Sequence, residues 1–141
     1  MPVLDTEILF ALNPKDPKHD AALKLLNELR QKGRKIFVPD TVMLEFQIVL
    51  RSIGKKLPIV KTSILGLRKA IEVNRGEEVS TINSTLLARQ CEIEEKYGLT
   101  YFDSLIAAST LSVDEELVSD DNAFDRVPGI RRASLSSKSR V

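Results

Sequence analysis

Gly98-Leu99-Thr100-Tyr101-Phe102-Asp103-Ser104-Leu105-Ile106-Ala107-Ala108-Ser109-Thr110 is the stretch on which the reading of this chain turns. One carboxylate, Asp103, heads a run that is otherwise apolar or small. The run has helical length and few charges, which predicts a helix buried on most sides. An acid in its first turn lies at the positive end of the backbone dipole. Capping alone explains most acids at such positions, so Asp103 gains weight only from company.

Working outward, the flanking segments alternate between short apolar runs and amphipathic ones. Val3-Leu4 reads as a buried strand ended by Asp5, with a short helix over 8–12. Ala22, Leu25, Leu26 and Leu29 recur at helical spacing, so 18–32 forms an amphipathic helix stopped by Gly33. Ile36-Phe37-Val38 is a second strand, and Pro39-Asp40-Thr41 opens a helix with Val42, Phe46, Val49 and Ile53 on one face. Glu45 borders that face. Gly54 and Pro58 separate a further helix with a seam of Val60, Ile64, Leu67 and Ile71. Asn74-Arg75-Gly76-Glu77-Glu78 is a turn and Val79-Ser80-Thr81-Ile82 a short strand. A helix then runs to about Tyr97, with Leu87, Ala88, Cys91 and Ile93 available to the core. Glu116-Leu117-Val118-Ser119 is a late strand, Asp120 to Asp125 an Asx turn or cap, and Ile130-Arg131-Arg132 an edge strand. Residues 1–133 form one domain, and the Ser-, Lys- and Arg-rich 134–141 a loose tail.

Composition narrows the chemistry. At 141 residues the chain is long enough for one cored domain, and its net charge is +1. A single cysteine, Cys91, excludes an internal disulfide and a cysteine-based metal site, and reads as a small core residue. The single histidine, His19, lies in a polar segment and reads as a surface residue, without partners for a triad or a zinc site. No run is long enough to span a bilayer and the N-terminus carries no signal pattern, so a soluble, cytoplasmic protein is expected, without membrane contact.

Alternating strands and helices predict a mostly parallel sheet with helices on both faces. Ligand sites in such sheets lie beyond the carboxyl ends of the strands. Asp5 ends the first strand, Asp120 and Asp121 follow the late one, and Asp103 and Glu45 lie in the first turns of helices. Strand ends and helix starts share one edge, so acids far apart in sequence converge there. Packed carboxylates repel, and a divalent cation removes that cost. Oxygen donors without His or Cys favour Mg²⁺ or Mn²⁺. Such an ion, with open water positions, suits hydrolysis of a phosphodiester by metal-activated water, with no histidine base. From Gln47 to Ile71 there is no acid, while Arg51, Lys55, Lys56, Lys61, Arg68 and Lys69 make a basic face suited to a phosphate backbone or an acidic partner.

These residues resemble PIN-domain nucleases, most closely the small VapC-type toxin ribonucleases, over about residues 1–132. The motifs are Val3-Leu4-Asp5-Thr6, then Val42-Met43-Leu44-Glu45-Phe46, then Asp103-Ser104-Leu105-Ile106-Ala107-Ala108, then Ser119-Asp120-Asp121-Asn122-Ala123-Phe124. The resemblance implies a PIN-like three-layer α/β sandwich and a Mg²⁺/Mn²⁺-dependent ribonuclease, the toxin of a toxin–antitoxin pair. It implies that Asp5, Glu45, Asp103 and Asp121 coordinate metal and carry catalysis. Asp5 and Asp103 hold the main ion, and Glu45 and Asp121 a second ion or a water. Thr6 and Ser119 support them by hydrogen bonds. Asp120 is the alternative to Asp121, and Asp125 the third choice. Glu7 departs from the family, which more often has Asn or Ser there. The resemblance further implies an RNA substrate, a homodimer and a small antitoxin protein, with the basic helical pair as the wall of the RNA or partner groove. The competing expectations are a non-catalytic PIN-like module that binds RNA or protein, and another Mg²⁺-dependent α/β protein of the phosphatase or receiver type. The latter lacks its expected second acid and late lysine.

Overall fold

The computed structural model describes residues 1–135. Its strands are β1 (Val3–Leu4), β2 (Phe37–Pro39), β3 (Glu77–Val79), β4 (Glu116–Val118) and β5 (Arg131–Ala133). Between them lie α1 (Thr6–Phe10), α2 (His19–Gln31), α3 (Asp40–Ser52), α4 (Leu57–Val73), α5 (Ser84–Tyr97) and α6 (Tyr101–Val113), and a 3₁₀ turn at Asn122–Arg126. All pairings are parallel and the order is β3-β2-β1-β4-β5. The chain thus winds outward from β1 to β3, returns across the sheet, and continues from β4 to β5. Right-handed crossovers put the helices of the two halves on opposite faces, giving the α/β sandwich. The direction reverses between β1 and β4, where the carboxyl ends of the strands open a crevice.

The strands are very short, so the sheet is held by its burial more than by its ladder. Val3, Leu4, Val38, Leu117 and Val118 are all buried, as fits strands covered on both faces. α6 is the central helix. Every residue from Ser104 to Thr110 is buried, and its cap is Thr100, whose hydroxyl accepts from the Asp103 N–H (3.2 Å). Asp103 is therefore the third helical residue and is not itself the cap, which leaves its carboxylate free for other work.

Several expectations shift. β2 begins one residue later than the apolar run suggests, and β3 lies over Glu77–Val79 where a turn was expected. Its first two side chains are exposed, so an edge strand here has no hydrophobic signature. Gly76 marks its start: a Cβ there would stand 2.7 Å from Ile36 Cγ1 and 2.8 Å from Ile71 Cγ2. On α5 the buried side chains are Leu86, Gln90 and Ile93, while Leu87, Ala88 and Cys91 are exposed. A polar residue holds the core position there, because Gln90 donates to the Ser104 hydroxyl (2.9 Å), so the apolar pattern pointed one residue off. On α3, Leu50 is buried and Ile53 is 63% exposed. His19 is half-buried, its Nδ1 donating to the Ala11 carbonyl (2.8 Å). Leu135 is buried and its N–H donates to Asp120 (2.8 Å), so the packed domain extends past 133; the rest of the expected tail lies outside the described residues.

Gly76→Ala forces the Ile36 and Ile71 side chains apart in a filled core. It should destabilise the protein by about 1–3 kcal/mol in urea denaturation, whereas the same change at Gly66, where the added Cβ meets open space, should not.

Candidate active site

The crevice at the switch point is built on Asp5. It follows β1, and its N–H is held by the Val118 carbonyl of β4 (3.1 Å). Its carboxylate caps α1: Oδ1 accepts from the Thr6 N–H (2.7 Å) and Oδ2 from the Ser119 hydroxyl (2.6 Å). Ser119 Oγ in turn accepts from the Asp121 N–H (3.0 Å). Asp5 is only 6% exposed. Burial pushes its pKa up to about 7, against the pull of the Ser119 and Thr6 hydrogen bonds, and the charges of Glu7 and Glu45 push the same way.

Asp103 enters from the first turn of α6. Burial raises its pKa, as do the charge of Asp121 and then that of Glu45, while the Thr100 hydroxyl pulls it down; a hydrogen bond with Asp121 also favours the protonated acid. Glu45 is half-buried on α3, and its charge is felt at both Asp5 and Asp103. Asp121 caps the 3₁₀ turn, accepting from the Ala123 N–H (2.9 Å). The four acids from four separate segments are thus linked by mutual repulsion at one sheet edge. Among the described residues, no Lys or Arg forms an ion pair with any of them.

The neighbouring acids are occupied otherwise. Asp120 lies 2.7 Å from Lys18 Nζ and accepts from the Ser134 hydroxyl and the Leu135 N–H. Burial pushes its pKa up, but Lys18, Ser134 and Leu135 outweigh it and hold the carboxyl down at about 2. Asp125 takes a two-pronged contact from Arg132 (2.9 and 3.0 Å). Between the two neighbours of the late motif, Asp121 is the one whose charge reaches Asp103.

Glu7, Lys18 and Arg132 belong to this edge and were not legible as a group. Glu7 accepts from the Ser119 hydroxyl (3.2 Å) and from the Asp120 N–H, and lies 3.6 Å from Lys18 Nζ. Arg132 also donates to the Ser119 carbonyl (3.1 Å). Glu7 and Asp120 are more than a hundred residues apart, so no local signal pairs them. Thr6 supports Asp5 through its backbone alone; its hydroxyl is buried and has no partner among the described residues. The six basic residues Arg51, Lys55, Lys56, Lys61, Arg68 and Lys69 are all exposed along α3, the following turn and α4, with Arg68 3.4 Å from Glu72. The cleft of about 250 Å³ between α1, α3 and α4 is lined mostly by apolar side chains, Phe10, Phe46, Leu50 and Leu67 among them. Of the six, Lys61 lines a separate outer hollow. None of the six lines the apolar cleft between α1, α3 and α4.

Among the described residues, no three His, Cys, Asp or Glu side chains stand close enough to grip a metal ion as they are. The donor chemistry nonetheless suits a hard dication. All four donors are carboxylates, unpaired and mutually repelling, and one is buried with its ionisation suppressed. Wider spacing than a closed cage also suits Mg²⁺, which keeps several waters of its own.

The profile of the PIN domain family matches residues 3–130. The chain belongs to the PIN domain family. Among solved structures, this PIN domain is similar to Rickettsia felis VapBC2 bound to a promoter DNA fragment, at 23% identity and a TM-score of 0.68, over 94% of this chain and 96% of that one. It is similar to a toxin–antitoxin complex from Klebsiella pneumoniae at 16% identity and a TM-score of 0.65, over 93% and 96% of the two chains. It is also similar to Mycobacterium tuberculosis VapC20, described as a sarcin-ricin-loop-cleaving toxin, at 13% identity and a TM-score of 0.66, over 89% and 93%. At these identities the likeness is one of fold. No curated protein sequence matches the chain.

The Asp5 carboxyl binds its proton more tightly folded than unfolded. Its contribution to the stability of the metal-free PIN domain is therefore full below pH 4 and lost as the pH rises through about 7. Asp5→Asn, which cannot ionise, should stabilise the metal-free protein by on the order of 1–3 kcal/mol at pH 8 and bring no gain at pH 4, as read from urea midpoints.

Proposed function

We propose that this PIN domain is a Mg²⁺- or Mn²⁺-dependent endoribonuclease and the toxin of a toxin–antitoxin pair. The observation that carries the reading is the set of four carboxylates at the switch point, with Glu45 repelling Asp5 and Asp103, Asp121 repelling Asp103, and no ion pair to any of the four among the described residues. Asp5 and Asp103 would hold the main ion, and Glu45 and Asp121 a second ion or a water. Such an ion would supply Lewis-acid charge to the phosphoryl group and favour loss of a proton from the attacking water. The chain's own part is to hold the donors. Ser119 and the Thr6 N–H orient the two oxygens of Asp5, and the Ser119 hydroxyl also anchors the backbone of Asp121. Thr100 sets the start of α6 and with it Asp103.

RNA as substrate is supported by the exposed Arg51, Lys55, Lys56, Lys61, Arg68 and Lys69, which suit a phosphate backbone. The likeness in fold to toxin–antitoxin complexes supports the toxin reading and an antitoxin partner, and a homodimer and a cytoplasmic setting belong to the same proposal. Among the described residues, no helix is long and apolar enough to cross a membrane. One observation favours a second reading, a non-catalytic module that binds RNA or protein: among the described residues, no three acids are gathered tightly enough to hold an ion unaided.

Incubation of the purified protein with structured RNA in Mg²⁺, in Mn²⁺ or in EDTA separates the two. Cleavage is expected with either metal and not with EDTA, and Asp5→Asn or Asp103→Asn should lower its rate more than about a hundredfold. Cleavage at the wild-type rate in these variants would end the nuclease reading. RNA retention without cleavage would favour the binding module.

A further inference from the structure

The candidate ligands Glu45 and Asp103 are carried by two helices, α3 and α6, whose mutual register no sheet ladder sets. The apolar surface between them specifies it poorly. The buried part of α6 is rich in small side chains, Ser104, Ala107, Ala108 and Ser109, and apolar contact is not directional. Leu105 and Ile106 anchor α6 in the core, and the directional contacts between α6 and α3 come from hydrogen bonds.

A closed ring of hydrogen bonds joins the two helices on the flank of the acids. Thr41, the second residue of α3, places Oγ1 2.7 Å from Ser109 Oγ of α6. Ser109 Oγ lies 2.9 Å from Thr81 Oγ1, in the loop after β3. The Thr81 hydroxyl donates to Asp40 Oδ1 (2.6 Å). Asp40 is the first residue of α3, and its Oδ1 also accepts from the Thr41 N–H (3.0 Å), while Oδ2 accepts from the N–H groups of Thr81 and Ile82 (3.0 Å each). Because Thr81 spends its proton on Asp40, Ser109 must donate to Thr81 and Thr41 to Ser109. The hydroxyls therefore run head to tail toward one carboxylate, an order in which each bond polarises the next. Thr41 and Ser109 are fully buried, so no water competes for these groups.

We propose that the ring of Asp40, Thr41, Thr81 and Ser109 is a positioning device. It sets the rotation and axial offset of α3 against α6, and thereby the separation of Glu45 from Asp103. Glu45 lies one helical turn beyond Thr41, on the same side of α3, so a turn of that helix about its axis moves both together. Asp103 lies six residues, about 9 Å of helix, before Ser109. Hydrogen bonds lose strength steeply with misalignment, so this ring specifies an angle that packing of small side chains does not. The inference rests on reading Glu45 and Asp103 as cation ligands.

The test is Mn²⁺ binding by titration calorimetry to the intact chain, with thermal unfolding followed in parallel. The variants are Thr41→Val and Ser109→Ala, which break the ring; Thr41→Ser, which keeps the hydroxyl; and Leu25→Val, a core change on α2. Ser109→Ala also retains helix propensity, so it carries the test should Thr41→Val fail to fold. Both ring-breaking variants should need about tenfold more Mn²⁺ for half-saturation, a loss typical of removing an orienting partner. Thr41→Ser should stay within about twofold of wild type, as should Leu25→Val despite its lower unfolding temperature. Wild-type Mn²⁺ affinity in folded Thr41→Val or Ser109→Ala would overturn the positioning role and leave the metal reading standing. Failure of the wild-type protein itself to bind Mn²⁺ would overturn the metal reading and this inference with it.

Discussion

The structure depends on a carboxylate placed where a carboxylate is expensive to bury. Asp5 ends the central strand β1 and is almost wholly shielded, with neighbouring negative charges and no paired cation among the described residues. What makes the position tolerable is the set of three partners supplied by the fold: the Thr6 N–H at the start of α1, the Ser119 hydroxyl at the end of β4, and the α1 dipole. These partners exist only because β1 and β4 lie side by side at the point where the winding of the sheet reverses. The costly group and the topological crevice are therefore one feature seen at two scales.

Around this point the acids divide by their partners. Asp120 and Asp125 have cations, Lys18 and Arg132, and behave as ties: Asp120 fastens the start of α2 and the chain after β5 to the loop after β4. Glu7 joins them by accepting the Asp120 N–H. Asp5, Glu45, Asp103 and Asp121 have one another. Two acids adjacent in sequence, Asp120 and Asp121, thus differ in their partners: Lys18 forms an ion pair with Asp120, while Asp121 feels the charge of Arg132 without an ion pair among the described residues. The ties hold the loop in place, and the loop presents Asp121 to Asp103. Stability at this edge and the strain that suits a cation are supplied by different members of one acidic cluster.

Much of the site was readable from local chemistry. Val3-Leu4 followed by Asp5, the buried helix headed by Asp103, and Ser119 before an acidic turn each carry their own signal, and the charge of Glu45 reaches both Asp5 and Asp103. The basic residues of α3, α4 and the turn between them are exposed, and none of them lines the apolar cleft between α1, α3 and α4. The contacts that Glu7, Lys18 and Arg132 make at this edge have no local signal, because their partners are remote in the chain. β3 escaped notice because an edge strand with Glu77 and Glu78 turned to solvent has no apolar alternation to read. The phase of α5 was misjudged for a related reason: Gln90 occupies a core position by bonding to Ser104, so polarity there reports a partner and not exposure.

By itself the sequence determined the alternation of strands and helices, the burial of α6, and the residue types offered to the site, because each follows from periodicity and side-chain chemistry within a window of a few residues. Only the tertiary structure decided which of those acids meet, which are neutralised, and how the helices bearing them are set against each other. Charges act through space, and the distances that govern them are fixed by strand order and by buried hydrogen bonds between segments that the chain keeps far apart.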